Sequence, residues 1–276
     1  MVAITARDGA RVRVTRMGAA AAPASVIYLH CPLTDASYWD PLTQYLQRRL
    51  DGGIAQLTYD TREFADPQHS RIHAAVGSSV DVLDAVIGQA QGSVVLVAHS
   101  LAWSPLRAWA EHYRAHAHAL AGLVVFNPCT AFEPLSRSGP TAPDPVRSSW
   151  VDTLREEFAT HLHPDPGSDR PERPLTDPGR TFGSGAQFPA HRTRPVSTNA
   201  ITVLREVPTW VVTGALDPLA TPGYARMLAE QLWADFDSVP GVGHHLPYRE
   251  PAAASAPILA ALEAAYRAQR FGGDFL

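Results

Sequence analysis

Three loops of the sequence carry side chains that could together perform nucleophilic chemistry. Ser100 stands between an apolar run, residues 93–97, and a segment of helical periodicity. Asp217 and His244 stand in two later loops, each of which follows another short apolar run. A serine hydroxyl attacks a carbonyl carbon only when a neighbouring base takes its proton, and a histidine oriented by a carboxylate is such a base. These three residue types therefore suit acyl transfer if the fold brings them together.

Each of these residues also has an ordinary structural explanation when it is considered alone. Ser100 could cap the N-terminus of the helix that follows it, because serine is favoured at that position. Asp217 could cap a helix or a turn, and His244 could belong to a surface turn. These alternatives stay open until the elements that carry the three residues are considered together.

The hydrophobic pattern predicts an α/β fold. Short apolar runs alternate with segments of helical periodicity up to Asn127, and the alternation resumes after residue 205. This alternation is typical of a parallel sheet with helices on both faces. The first strand alternates polar and apolar residues, which predicts a half-buried edge strand. The predicted strands are 11–16, 25–30, 54–59, 93–97, 120–126, 209–213 and 235–239, and the predicted helices are 39–50, 76–90, 100–116, 224–232 and a closing helix around 258–266.

All three chemical residues are predicted to lie at one edge of this sheet. Ser100, Asp217 and His244 each stand in a loop that follows a predicted strand. The carboxyl ends of parallel strands meet at one edge, where open α/β sheets place their chemistry. The three side chains are therefore expected to meet there.

The order and placement of these residues resemble the α/β-hydrolase superfamily. The resemblance covers nearly the whole chain apart from an insertion, and it implies that Ser100 is the nucleophile, His244 the base and Asp217 the residue that orients the base. The stretches that carry it are Ile27-Tyr28-Leu29-His30, Tyr59-Asp60-Thr61-Arg62, Ala98-His99-Ser100-Leu101-Ala102, Gly214-Ala215-Leu216-Asp217 and Gly241-Val242-Gly243-His244.

The sequence departs from the family pattern at two places. Alanines, Ala98 and Ala102, replace the glycines that usually flank the nucleophile. Each alanine adds one methyl group, so the sharp turn at Ser100 is expected to survive.

The second departure concerns the oxyanion hole, the donors that stabilise the negative oxygen of a tetrahedral intermediate. The resemblance implies the N–H of Leu101 as one donor and an N–H two residues after His30 as the other. Pro32 stands at that second position, and proline has no N–H. The possible substitutes are the N–H of Leu33 and the hydroxyls of Thr34 and Tyr38.

Residues 128–205 differ from the remainder of the chain. They are rich in proline, glycine, serine and charge, and 164–195 show no periodicity, although 146–161 are predicted to be helical. A long irregular connection inside a compact domain is unusual unless it is functional or mobile. We therefore expect a hydrolase core of residues 1–127 and 206–276, with 128–205 as a lid. The residues expected to line a substrate pocket are Cys31, Trp103, Phe132 and Trp150, although Cys31 could be apolar filling and Trp103 a core residue.

Composition limits the classes of function. The chain has 276 residues, of which 45% are hydrophobic and 18% charged, so it can bury a sizeable core. A net charge of −4 does not indicate nucleic acid or an anionic membrane as the main partner. Two cysteines do not make a disulfide framework, and the pattern predicts neither a signal peptide nor a membrane span. The expectation is a cytoplasmic enzyme without metal or cofactor that acts on a small molecule, with a homodimer left open.

The resemblance leaves three functions to compare. The first is a serine hydrolase that cleaves an ester, lactone or thioester of a small to medium, mainly apolar substrate through an acyl-enzyme on Ser100. The second is a non-hydrolytic enzyme of the same fold, which performs carbon–carbon cleavage, elimination or cyclisation in natural-product metabolism; Pro32 is the reason to consider it. The third is a ligand-binding protein without turnover, which would have no need of all three chemical residues.

Overall fold

The computed structural model describes residues 1–31, 34–60, 72–129 and 198–271 of the chain. Several of the predicted site residues lie outside these ranges, namely Pro32, Leu33, Phe132 and Trp150. Most of the predicted lid, residues 130–197, also lies outside them. The predictions for those residues stay predictions.

The described part of the chain contains an eight-stranded sheet of the order β1-β2-β4-β3-β5-β6-β7-β8. Strands β3 to β8 pair in parallel, whereas β2 pairs antiparallel with both β1 and β4. The predicted fold, a mostly parallel sheet flanked by helices, is confirmed. The strands are β1 Val2–Thr5, β2 Arg11–Met17, β3 Ala24–Leu29, β4 Ala55–Tyr59, β5 Ser93–His99, β6 Gly122–Phe126, β7 Thr209–Gly214 and β8 Asp235–Val239.

The helices lie on both faces of the sheet, and two of them were not predicted. Thr198–Leu204 belongs to the segment predicted as an insertion, yet its residues Val203 and Leu204 are buried in the core. Leu246–Arg249 is a short helix directly after the His244 loop. The helices are α1 Asp40–Arg49, α2 Ile72–Ile87, α3 Trp103–His112, α4 Arg114–His118, α5 Thr198–Leu204, α6 Pro222–Leu232, α7 Leu246–Arg249 and α8 Pro251–Phe271.

The core consists of two hydrophobic clusters, one on each face of the sheet. Ile27 and Leu96 belong to the cluster that contains side chains of α2, α3 and α6. Tyr28 and Val97, the next residues along the same strands, belong to the cluster that contains side chains of α1 and α8. Successive side chains of a strand point to opposite faces, so the central strands are covered on both sides and are apolar along their length.

The prediction that residues 11–16 form an edge strand was wrong. The strand β2 does alternate buried and exposed residues, as predicted. However, β1 pairs with its outer side, with Val2 opposite Val14 and Ile4 opposite Val12. A strand at the edge of a sheet and a strand next to the edge show the same alternation when one face of the sheet is exposed to solvent, so the pattern alone does not distinguish the two positions.

Candidate active site

Ser100 lies at a sharp turn between β5 and a short 3₁₀ helix, Ser100–Ala102, which leads directly into α3. Its φ is +57°, in the left-handed region that L-residues with a side chain rarely adopt. Ala98 and Ala102 are buried in the core on either side of the turn. The turn is therefore formed with alanines in place of the flanking glycines, as the sequence predicted.

The capping explanation of Ser100 is wrong. Neither the 3₁₀ helix nor α3 has a side-chain hydrogen bond at its N-cap. The hydroxyl oxygen of Ser100 instead lies 2.8 Å from Nε2 of His244. The serine is thus turned away from the helix and towards the loop that follows β8.

The loop after β7, which carries Asp217, packs closely against the loop after β8, which carries His244. The N–H of Leu216 donates to the carbonyl of Val242 at 2.8 Å. A Cβ atom on Gly214 would lie 2.3 Å from the carbonyl oxygens of both Val242 and Gly243. Glycine at position 214 therefore permits the close approach of the two loops.

Ser100, His244 and Asp217 form one hydrogen-bonded chain. Nδ1 of His244 lies 2.8 Å from Oδ2 of Asp217, and both side chains are fully buried. Because a carboxylate only accepts hydrogen bonds, Nδ1 carries the proton. The lone pair of Nε2 then accepts the hydrogen bond of the Ser100 hydroxyl. The geometry brings together all three residues that the sequence singled out, which stand far apart in the chain.

The carboxylate of Asp217 accepts four hydrogen bonds from residues that the structure describes. Oδ2 accepts from His244 and from Nδ2 of Asn127, and Oδ1 accepts from the N–H groups of Leu219 and Ala220. Burial raises the pKa of Asp217. The neighbouring His244 and the hydrogen bonds from His244, Ala220 and Asn127 lower the pKa by more than burial raises it, so the net pKa lies below the ordinary value. The turn-capping alternative for Asp217 is therefore correct as well, because one oxygen caps the turn and the other faces the imidazole.

Asn127 is a residue of the site that was not predicted. It follows β6, has a φ of +48°, and its Nδ2 lies 2.6 Å from Oδ2 of Asp217. Asparagine tolerates the left-handed region better than most residues. The signal was present, because β6 lies between β5 and β7 and its carboxyl end shares the edge that carries Ser100 and Asp217.

We expect Asn127→Ala to lower the free energy of unfolding at pH 7 by about 1.5–3 kcal/mol, because a hydrogen bond to a buried charge is lost. The folded-state pKa of Asp217 lies below the value of about 3.9 that an aspartate has in an unfolded chain. The stability from this carboxylate is therefore fully present above that pH and is lost as the pH falls through the folded pKa. The measurement is urea unfolding of both proteins from pH 8 down to pH 3. A difference that grows on acidification would contradict this account of Asn127.

One of the predicted oxyanion-hole substitutes, Thr34, is engaged elsewhere. The hydroxyl and the N–H of Thr34 both donate to the carbonyl of Cys31, at 3.0 and 2.9 Å. The hydroxyl oxygen of Tyr38 lies 3.2 Å from Nε2 of His99. Leu101 directly follows Ser100 in the 3₁₀ helix. The N–H groups of Leu101 and Leu33 and the hydroxyl of Tyr38 stay the predicted donors.

Two residues predicted to line the substrate pocket are described, and both are fully buried. Trp103 belongs to the core cluster on the α3 face of the sheet, together with Ala98 and Leu106. This placement favours the core alternative for Trp103. Cys31 belongs to the cluster on the other face, as does the other cysteine, Cys129, and neither forms a disulfide.

The part of the chain that the structure describes contains neither a cluster of metal ligands nor a membrane-spanning helix. No group of three or more histidine, cysteine, aspartate or glutamate side chains in that part of the chain is placed to hold a metal ion. None of the helices it contains combines the length and the hydropathy of a membrane span.

The family of the protein follows from comparison with known sequences. The family model described as the alpha/beta hydrolase family matches residues 26–257. This range includes Ser100, Asp217 and His244. The chain belongs to the alpha/beta hydrolase family. Among curated proteins, none matches the chain at a significant level.

Solved structures of the same fold resemble the chain over most of its length. An esterase from Thermogutta terrifontis has a TM-score of 0.61 and 18% identity, with 96% of this chain and 98% of that one covered. The thioesterase domain from the curacin biosynthetic pathway has a TM-score of 0.61 and 15% identity, with 91% and 96% covered. The enol-lactonase from Burkholderia xenovorans LB400 has a TM-score of 0.58 and 17% identity, with 95% and 100% covered. At such identities the likeness concerns the fold.

Proposed function

We propose that the protein is a serine hydrolase that cleaves an ester, lactone or thioester of a small to medium, mainly apolar substrate. The observation that carries the proposal is the hydrogen-bonded chain from the Ser100 hydroxyl through His244 to Asp217, with both distances at 2.8 Å. The similar solved structures include an esterase, a thioesterase and an enol-lactonase, which supports the choice of acyl compounds as substrates.

The proposed reaction has two halves. In the first, Nε2 of His244 takes the proton of Ser100 while the serine oxygen attacks the carbonyl carbon. The tetrahedral intermediate then loses its alcohol or thiol, which leaves with the proton from Nε2, and an acyl-enzyme stays on Ser100. In the second half, His244 activates a water molecule in the same way, and the acid is released. Asp217 holds the imidazole in the required tautomer and stabilises its charged form.

We also propose the backbone donors and the lid. The N–H of Leu101 is the first oxyanion donor, because the first N–H groups of a helical segment have no intrahelical partner. The N–H of Leu33 is the second, because Pro32 has no N–H to offer. Residues 128–205 cover the cleft and select the substrate. The helix α5 at the end of this segment has buried side chains, which indicates that α5 belongs to the core.

A non-hydrolytic reaction is the second candidate, and Pro32 favours it. If the second oxyanion donor is missing, the tetrahedral intermediate of ester cleavage would be less stable. The same buried serine and imidazole could then serve carbon–carbon cleavage, elimination or cyclisation. A ligand-binding protein without turnover is disfavoured, because it would not require three aligned catalytic groups.

A panel of acyl substrates separates the two candidates. Short p-nitrophenyl esters, a thioester and a lactone are incubated with the protein, and a fluorophosphonate probe reports whether Ser100 is reactive. Hydrolysis of at least one compound together with labelling supports the hydrolase. Labelling without hydrolysis of any compound would favour the non-hydrolytic candidate, and absence of labelling would contradict an activated serine.

A further inference from the structure

His99 and Ser100 are consecutive residues, and both contact His244. The Ser100 hydroxyl contacts Nε2 of the His244 side chain. The ring of His99 contacts the main chain of the same residue, since its Nε2 lies 2.8 Å from the carbonyl oxygen of His244. His99 is fully buried at the end of β5. The residue proposed as the base is therefore held at two points by one short stretch of chain.

The protonation state of His99 follows from its partner. A carbonyl oxygen only accepts hydrogen bonds, so Nε2 of His99 carries the proton and donates it to His244. The hydroxyl oxygen of Tyr38, 3.2 Å from the same nitrogen, can then only accept from it. The other ring nitrogen, Nδ1, is buried and has no hydrogen-bond partner among the described residues. Burial, together with the neighbouring His244, lowers the pKa of His99 to about 3. The ring is thus neutral at every pH at which the enzyme would be assayed.

Aromatic rings fix the orientation of His99. The ring of Tyr38 stacks on it at 4.7 Å between centroids, and Trp39 presents its edge at 6.4 Å. Tyr38 in turn stacks on Tyr248 of α7, at 5.8 Å. The imidazole of His99 is therefore packed against other rings, whereas the loop that it contacts, residues 240–245, contains Gly241 with a φ of +73° and has no regular structure.

We propose that His99 is a positioning residue, whose Nε2–H fixes the backbone of the His244 loop so that the imidazole stays within hydrogen-bond reach of Ser100. This inference rests on the proposed function, because it concerns the same base and nucleophile. A misplacement of about 1 Å in a catalytic group can cost on the order of a hundredfold in rate. One hydrogen bond to the main chain of His244 is well placed to prevent such a displacement.

Two amide variants isolate this hydrogen bond. The side-chain nitrogen of glutamine can reach the position of Nε2 in His99, whereas that of asparagine is one methylene too short. We expect His99→Asn to lower kcat on the order of a hundredfold with little change in KM, and His99→Gln to recover most of the loss. Ser25→Ala is the control, because it removes side-chain hydrogen bonds at the opposite end of the sheet, where the Ser25 hydroxyl donates to the carbonyl of Gln91 and accepts from its N–H.

Hydrogen exchange of residues 240–245 tests the same contact without any need for activity. Exchange of this loop should be faster in His99→Asn than in the wild type and in His99→Gln, and Ser25→Ala should leave it unchanged. If His99→Asn and His99→Gln have equal effects on kcat and on exchange, the hydrogen bond of Nε2 does not matter and His99 only packs against its neighbours. That result would overturn the proposal. Wild-type exchange in His99→Asn would overturn it as well. A wild type that is inactive in every assay would contradict the proposed function, and the exchange comparison would still decide the role of His99.

Discussion

Replacing Ser100 with alanine is expected to lower kcat for a hydrolysed ester about a millionfold, to the residual rate of an enzyme that has lost its nucleophile. Without the hydroxyl, Nε2 of His244 has no proton to take, and no acyl-enzyme can form. The measurement is initial-rate kinetics on the ester that the wild type hydrolyses fastest. A variant that keeps more than about a hundredth of the wild-type kcat would show that the reaction does not need a covalent serine.

The backbone at Ser100 supplies a control for this variant. Alanine retains a Cβ atom at a φ of +57°, whereas glycine has none. A residue other than glycine in the left-handed region costs roughly 1 kcal/mol. Ser100→Gly should therefore be about as inactive as Ser100→Ala but more stable than it by roughly 1 kcal/mol in urea unfolding. Equal stabilities would contradict the strain assigned to this turn.

Replacing Asp217 with asparagine is expected to lower kcat roughly ten-thousandfold. Oδ1 of Asp217 accepts hydrogen bonds from the N–H groups of Leu219 and Ala220. An asparagine must keep its oxygen at that position, so its NH₂ group takes the place of Oδ2. That group then faces Nδ1 of His244 as a donor and requires the tautomer whose proton is on Nε2. This tautomer cannot accept the proton of Ser100.

The Asp217→Asn variant is best compared with Asp237→Asn. Asp237 is an exposed residue of β8, and its replacement removes the same charge at a position outside the site. Asp237→Asn should retain wild-type kinetics. If Asp217→Asn stays within about tenfold of the wild-type kcat, another group must orient His244, and the assignment of Asp217 would be wrong.

Much of the fold could be predicted because its signals are local. The central strands are buried on both faces, so each appears in the sequence as a short apolar run, and the turn at Ser100 appears as a break between such a run and a helical pattern. The order Ser100, Asp217, His244 then followed from reading the loops after the strands. The strand β1 was missed because four residues at the edge of a sheet, with Val2 exposed, carry no such signal.

The partners of the three residues were harder to predict. Asn127 and His99 both stand at strand ends, but their roles depend on contacts with Asp217 and His244, which are 90 and 145 residues away in the chain. Neither residue type predicts such a contact, because asparagine is common in turns and a buried histidine more often has a packing role. Only the register of the strands brings these side chains to the same edge.

The rate at which a fluorophosphonate probe modifies Ser100 tests the central claim most directly, because it reports the activation of the serine without any knowledge of the substrate. The adduct is located by mass spectrometry of the peptide that contains Ser100. The account predicts one adduct, on Ser100, that forms far more slowly in Asp217→Asn than in the wild type. An adduct elsewhere, no adduct, or equal rates in the two proteins would contradict a serine activated by His244 and Asp217.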